Sequence, residues 1–371
     1  MAQACERQPI VGFSSGILPI PQPEDKVLVE YVYVDHSRTD IHWKTRTLDF
    51  EPMSAQACPV WDTLMYNNFE GKEPRVEVLI VPVSLYRDPF RRGKNKLVFC
   101  QIYEKMDKPA FINTRHTCEK VLDKISEDEP WFGLEQEYFI LGSDQRPAGW
   151  KTEKSFRPKD YHSLCGLTRT AGLERELVDV HYQACLFAGL KIGGINREDA
   201  PGQWEYQIGP CLGISAGDEV WVSRYLLLRV GEMFGVEISF FPKPVEDALP
   251  AAGVHINCST RRMREEGGYK YIVEAVEKLA KTPQDVVLKM YDPHNGKDNE
   301  KRLKGNYFVP ESSHFSWGVG DRLASIRIPI LVAERKRGYF EDRRPSSNCD
   351  PFCAIEVLVR ASMLDEFLNN N

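Results

Sequence analysis

The chain has 371 residues, of which 42% are hydrophobic, 27% charged and 11% aromatic, with a formal net charge of −6 from 48 basic and 54 acidic side chains. That composition excludes disorder as the dominant state and gives no sign of a nucleic-acid binder or a polybasic membrane tether. No run approaches the roughly 18 apolar residues of a membrane span, and the length allows two or three domains around a large core.

Residues 1–24 are punctuated by Gly and Pro and read as an irregular arm. VLVEYVYVD, Val27 to Asp35, alternates as a half-buried strand does, and HWKTRTLDF, His42 to Phe50, is its expected partner. VEVLIVPVSLY, Val76 to Tyr86, and KLVFCQIYE, Lys96 to Glu104, are two more apolar runs of strand length. No strong helical pattern interrupts these runs, so residues 25–107 are expected to form a small β-rich domain. The character changes near Asp107-Lys108-Pro109. Helical spacing of apolar residues predicts helices over Thr114 to Ser126, Leu173 to Leu190, Ser215 to Phe234 and Glu265 to Lys281. Ser215 and Asp218 form a plausible capping pair. Asp350-Pro351 opens a last helix, with Asp as cap and Pro in the first turn. With short strands between these helices, residues 108–371 read as one α+β domain.

The ten cysteines are scattered, most of them in apolar runs such as LVFC ending at Cys100 and YQACLF around Cys185. No CxxC pair occurs, so they read as reduced core thiols. The N-terminus has neither a basic stretch followed by an apolar one nor an Arg-rich bias, and the cytoplasm is the expected compartment.

Several short strands carry polar groups at i, i+2 spacing, which puts those groups on one face. In WFGLEQEYFIL, Glu135 and Glu137 share a face while Leu134 and Tyr138 share the other. In GQWEYQIGP, Gln203, Glu205 and Gln207 oppose Trp204, Tyr206 and Ile208. His255, Asn257 and Ser259 line up in GVHINCST, as do Tyr339, Glu341 and Arg343 in GYFEDRR. Glu198 is expected in a loop, GGINRED, just before the Glu205 strand. Were these strands to share a sheet, five carboxylates and one imidazole would converge. Buried carboxylates repel one another, and a divalent cation resolves the repulsion. An oxygen-rich set with one imidazole suits Mg²⁺ or Mn²⁺ better than zinc. Arg302, Arg322, Arg327 and Arg343 add guanidinium forks suited to phosphate and carboxylate. Together these suggest phosphoryl transfer from a nucleotide, although neither GxxxxGK[ST] nor GxGxxG after a strand is present.

At these residues the sequence resembles the glutamine synthetase family, in its eukaryotic branch. KTRTLDFEP, YRDPFRRGKNKLVFC, PWFGLEQEY, VHYQACLFAGLKIGG, PGQWEYQIGP, SIRIP and GYFEDRRPSSNCDPF carry the likeness, which runs from about residue 26 to the last helix. The resemblance implies an N-terminal β-grasp domain and a C-terminal glutamine synthetase catalytic α/β domain. It implies a homo-oligomer of two stacked pentamer rings, a decamer, with sites between neighbours. The reaction implied uses ATP to phosphorylate the γ-carboxylate of glutamate, and ammonia then displaces phosphate. Carried over by position, the metal ligands are Glu135, Glu137, Glu198, Glu205, His255 and Glu341. The nucleotide side comprises Trp131, Glu135, the segment Glu205 to Pro210, Asn257 to Ser259 and Tyr339 to Glu341. Arg302, Arg322 and Arg343 match residues that hold glutamate, and Arg322 and Arg327 match those that stabilise the transferring phosphate.

The departures fall elsewhere. RLKGNYFVPESS puts Phe308 where the family's flap has its catalytic Glu, with Glu311 three residues on. Leu64 stands where an ammonium-binding Asp belongs, and Leu164 where a Tyr precedes Cys-Gly. ALPA, Ala248 to Ala251, replaces Asn-Trp-Asn-Gly, and Ile330 replaces a basic residue after SIRIP. Leucine side chains offer a small cation neither charge nor a π-face, and losing one general base costs about 10²–10⁴ in rate. The expectation is therefore a protein that binds ATP with Mg²⁺ or Mn²⁺ but makes little or no glutamine. Its role would be structural or regulatory, with mixed rings containing an active glutamine synthetase as one arrangement. The alternative is an active ATP-dependent ligase joining glutamate to ammonia or to another amine.

Overall fold

The structure, a computed structural model, describes residues 21–66, 68, 71–72, 74–150, 164–167, 172–244, 251–303, 314–364 and 366–367. Residues 1–20 of the expected arm, Ala248 to Pro250, Phe308 and Glu311 lie outside them.

The N-terminal sheet has six strands. β1 (Val27–Val34) pairs antiparallel with β2 (Ile41–Leu48), Val27 opposite Leu48, as the alternation led us to expect. β3 (Trp61–Met65), which the sequence reading did not pick out, pairs antiparallel with β4 (Val76–Arg87). β4 pairs with β5 (Lys96–Lys105), and β5 runs parallel to β1. The spatial order is β2-β1-β5-β4-β3, and β6 (Lys108–Pro109) folds back on β5. Period-two alternation divides the apolar side chains between two cores. Val27, Val29, Tyr31, Val78, Ile80, Val98 and Cys100 fill one. Val32, Leu97 and Phe99 point the other way, into the main core, where Phe99 meets Phe352.

That main core lies under an eight-stranded sheet with the order β12-β13-β14-β11-β7-β9-β8, β10 pairing with β7. In chain order, α1 (Thr114–Asp123) leads into β7 (Trp131–Leu141). α2 (Gly172–Ala188), β8 (Ile192–Arg197), β9 (Gln203–Leu212), α3 (Ser215–Phe234) and β10 (Glu237–Ser239) follow. β11 (Val254–Ser259) precedes α4 (Arg261–Arg264), α5 (Tyr269–Lys281), α6 (Gln284–Met290) and α7 (Lys297–Leu303). β12 (Trp317–Val319), β13 (Ile326–Ile328), α8 (Ile330–Arg335), β14 (Phe340–Asp342) and α9 (Pro351–Ser362) complete the body. Leu134, Tyr138, Trp204, Tyr206, Ile208 and Ile256 face the core shared with α2, α3 and α9, which leaves the alternate residues of the same strands for the opposite face.

Four local expectations are corrected. α3 spans the residues predicted, but Ser215 and Asp218 do not cap it. The N-cap residue is Ile214, without a side-chain cap, and Ser215 Oγ donates to Leu212 O at 2.8 Å. Asp218 is instead claimed by Arg115, whose Nε and Nη2 donate to its two carboxylate oxygens at 2.8 and 3.0 Å. Both side chains are buried, and a buried guanidinium without a counter-charge costs more than an uncapped helix end. α5 begins at Tyr269 rather than Glu265, because Glu265 is extended and the chain turns at Gly267-Gly268. GGINRED is not all loop, since Ile192–Arg197 is strand β8 and only then does Glu198 follow. α1 also stops at Asp123, the chain tightening to a 3₁₀ turn over Ser126–Asp128 ahead of Pro130. Asp350 does cap α9, accepting from Phe352 N at 3.0 Å.

Candidate metal and nucleotide site

Strand register brings the carboxylates together. On β7, Glu135 lies opposite His255 of β11 and Gln207 of β9, and Glu137 lies opposite Glu205. On the far side of β11, Asn257 lies opposite Glu341 of β14, and Glu341 opposite Arg327 of β13. Glu198 joins from the end of β8. The result is two triplets, Glu135/His255/Glu341 and Glu137/Glu198/Glu205, each with one ligand atom per residue within 4.8 Å of the others. His255 bridges them. Its Nδ1 is 3.4 Å from Glu135 and 3.5 Å from Glu341, and its Nε2 is 3.6 Å from Glu137.

Burial governs the charges here. It pushes the Glu137 carboxyl up to about 7, with the nearby Glu205 adding to the rise and Arg302 opposing it. Burial likewise raises Glu198, aided by Glu137 and Glu205, and raises Glu205, aided by Glu135. It lowers His255, as does Arg343, so the imidazole is neutral and free to ligate. Like charges directly opposite across a strand pair destabilise it. Three carboxylates with raised pKa values, Glu137 and Glu205 buried and Glu198 partly so, and a neutral imidazole therefore form a donor set that fits hard divalent cations of the Mg²⁺ or Mn²⁺ kind. Neutral donors support the set. Asn257 Nδ2 donates to Glu135 at 2.7 Å, Asn196 Nδ2 to Glu198 at 2.8 Å, and Gln207 Nε2 to Asn196 at 2.8 Å and to Glu205.

The arginines frame the same face but are engaged with the protein. Arg343 Nη1 donates to Glu341 at 2.6 Å and its Nε to Arg322 O at 3.1 Å, while Arg327 also pairs with Glu341. Arg302, buried on α7, donates to the carbonyls of Arg343 and Arg344 at 3.0–3.2 Å. Its guanidinium passes so close to Gly253 that a Cβ there would lie 2.2 Å from Nη2. Arg322 is exposed.

Beside Glu135, a cavity of about 400 Å³ opens between Trp131, Phe132, Leu134, Ile208, Pro210 and Tyr339, with Asn257, Ser259 and Arg264 at its polar side. Its size and mixed lining suit a nucleoside. A bulge between β7 and β9 makes the room. Gly209 permits it, with φ +122° and so close to β7 that a Cβ would lie 2.6 Å from Phe132 O. Arg264 was missed by the sequence reading. Its guanidinium lies 3.9 Å from the centre of the Trp131 ring and donates to Glu129 O and Ser259 O at 3.0 and 3.2 Å. The basic run RRMR immediately after Ser259-Thr260 was the available signal. Asn196, also missed, is visible only through register.

Among the described residues, the positions expected to meet the nitrogen donor are divided, Leu64 lying apart from this site and Leu164 close to it. Leu64 lies on β3 opposite Glu77, 64% exposed, beside a separate cavity of about 440 Å³ lined by Asp35, His36, Asp62, Tyr66, Arg75 and Glu77 among others. Leu164 is also exposed, in the turn where Cys165 N donates to Arg197 O at 3.0 Å, which brings it near the Glu198 strand end. Ile330 is an exposed first residue of α8, and Ala251 O accepts from Gln203 at 3.2 Å.

A family model described as "Glutamine synthetase, catalytic domain" matches residues 112–272. Among characterised relatives, glutamine synthetase of Bos taurus is 46% identical over 355 residues, covering 96% of this chain and 94% of the relative. That of Homo sapiens is 45% identical with the same coverage, and that of Gallus gallus is 45% identical over 94% of this chain and 93% of its own length.

Proposed function

Because this chain belongs to the glutamine synthetase family, we propose that it is an ATP- and divalent-cation-dependent ligase that activates the side-chain carboxylate of glutamate and passes it to ammonia. One observation carries the reading: Glu135, Glu137, Glu198, Glu205, His255 and Glu341 converge from five strands onto one face, next to a nucleoside-sized cavity and a bank of arginines. Identity near 45% across almost the whole of relatives named glutamine synthetase supports the same reading over our expectation of a chain that makes little or no glutamine.

In this reading the six side chains hold Mg²⁺ or Mn²⁺, which supply charge neutralisation at the phosphates. Trp131, Tyr339, Asn257, Ser259 and the segment Glu205 to Pro210 seat the nucleotide. Arg322 and Arg327 face the transferring phosphoryl group, and Arg302, Arg322 and Arg343 hold the acid. A glutamate oxygen forms the new bond to the γ-phosphorus as the bond to the ADP oxygen breaks. The nitrogen then attacks the acyl carbon, phosphate leaves, and the nitrogen loses a proton. For Arg327 and Arg343 to reach a substrate, Glu341 must exchange their guanidinium groups for a cation, and such an exchange is a natural switch between empty and loaded states.

A second reading rests on Leu64, an exposed apolar side chain at the position that in the family binds ammonium, and on Phe308 at the flap. There the chain turns over ammonium weakly, and acts on a bulkier amine or serves a structural or regulatory role in rings of its own copies or in mixed rings. We retain 1–24, 25–107 and 108–371 as the domain division, pentamer rings stacked as a decamer as the assembly, and the cytoplasm as the compartment. The described cysteines are free thiols, most of them buried, and no described helix is long and apolar enough to cross a membrane.

Phosphate release by the size-defined oligomer with ATP, Mg²⁺ and glutamate tests the readings. Release that requires ammonium and yields glutamine supports the first. Release that requires another amine, or none beyond background, supports the second.

A further inference from the structure

The turn between α6 and α7 carries a cluster that the site above does not use. Asp292, His294 and Asp298 each bring one ligand atom within 4.8 Å of the others. Asp292 is buried and held rigidly, accepting from the backbone amides of His294 and Asn299 at 2.6 Å each. Asp298 is buried, 2.5 Å from His294 Nδ1, and accepts from Asn348 Nδ2 at 2.8 Å. The His294 side chain is half-exposed and opens the cluster to solvent.

Two side chains at this cluster point to a missing partner. Asn299 is wholly buried, and neither its Oδ1 nor its Nδ2 has a hydrogen bond. Asn348 is 7% exposed, and the bond from its Nδ2 to Asp298 keeps its unpartnered Oδ1 beside the same carboxylate. A buried amide oxygen without a hydrogen bond is costly, and it is a donor suited to a cation. Arg38, from the turn between β1 and β2, reaches this segment and bonds Pro293 O at 3.0 Å.

We propose that Asp292, His294 and Asp298, completed by the amide oxygen of Asn348, form a site for a divalent first-row transition cation, Zn²⁺ above Mg²⁺. An imidazole nitrogen among carboxylates favours zinc-like ions, and their affinity for such sites exceeds that of Mn²⁺. On binding, His294 presents the Nδ1 lone pair and carries its proton on Nε2. The ion clips the turn that leads into α7, and α7 holds Arg302 against the Arg343 and Arg344 carbonyls. The cation is thus a positioning element for the arginine end of the site, independent of which nitrogen donor the protein uses.

The full chain, stripped by chelator, is dialysed against Zn²⁺ and, as a spectroscopic probe, Co²⁺. Three proteins are compared: the parent, His294→Ala, and the double variant Glu135→Gln/Glu137→Gln. The parent and the double variant are expected to share one binding class per chain, with imidazole-dependent Co²⁺ absorption. His294→Ala, a change at a half-exposed side chain, loses that class or binds it at least about tenfold more weakly. Zn²⁺ should also raise the Tm of the double variant but not of the same protein carrying His294→Ala. Equal stoichiometry and affinity in parent and His294→Ala overturn the proposal. So does loss of every transition-metal class in the double variant, or a crystal grown with Zn²⁺ that shows only water among these side chains.

Discussion

Glu137→Gln isolates the electrostatic cost that the cation is proposed to relieve. The wild-type carboxyl is buried opposite Glu205 and titrates near 7 instead of at the ordinary 4.5. A raised carboxyl pKa means the folded state holds its proton to higher pH than the unfolded chain. The group therefore costs nothing well below pH 4.5, costs progressively more as pH rises towards 7, and levels off above that. At about 1.4 kcal/mol per pKa unit, the full cost is about 3 kcal/mol, most of it arising between pH 5 and 8. An unfolding entropy of about 2.1 cal/mol/K per residue converts this to a Tm difference of about 4 °C. Burial holds the His181 imidazole down near 4, so its contribution runs the opposite way with pH, gaining stability as pH rises. Comparing the variant with the parent cancels that background. In chelator, the Tm of Glu137→Gln relative to the parent should rise by about 3 °C from pH 5 to pH 8. In saturating Mn²⁺ the order should reverse, because the carboxylate is then a ligand that the amide replaces poorly. A parent–variant difference that is flat with pH in chelator, or that Mn²⁺ does not reverse, would refute the view of this triplet as a cation site.

Three further outcomes are expected. Arg115→Met leaves Asp218 buried without its counter-charge and should lower stability by about 3–5 kcal/mol in urea unfolding, whereas Arg115→Met/Asp218→Leu should recover most of it. An equally unstable double variant would place the loss in packing. Arg264→Ala removes the guanidinium over Trp131 and should weaken ATP binding by about two- to fivefold, at roughly 0.5–1 kcal/mol, measured by Trp fluorescence titration. An unchanged affinity would remove Trp131 and Arg264 from the nucleotide seat. Phe308→Glu alone should raise ammonium-dependent turnover little, while Phe308→Glu/Leu64→Asp should raise it by about 10²-fold. Full recovery from the single change would show that Leu64 is not part of the nitrogen-donor pocket.

Much of this was legible in the residues. The i, i+2 spacing on β7, β9, β11 and β14 identified which side chains share a face, because strand side chains alternate whatever the sheet does. The core-facing partners Leu134, Tyr138, Trp204 and Tyr206 followed from the same alternation. Where the reading slipped, a tertiary demand outweighed a local one. Asp218 reads as the acid of a helix cap, yet Arg115, distant in sequence, claims it. The stretch before Glu198 reads as loop because of its two glycines, yet the edge of β9 recruits Ile192–Arg197 as β8, with Glu198 itself in the connection that follows.

Chemistry types, strand faces and the likeness to a family came from the amino acids alone, since composition and periodicity are local properties of the chain. Which carboxylate meets which came only from folding. Register set Glu137 against Glu205 and split six ligands into two triplets around His255, and the β7–β9 bulge opened the cavity beside Trp131. The Asp292–His294–Asp298 cluster and the unpartnered Oδ1 of Asn348 emerged only there as well, because burial and hydrogen-bond satisfaction depend on every neighbour at once.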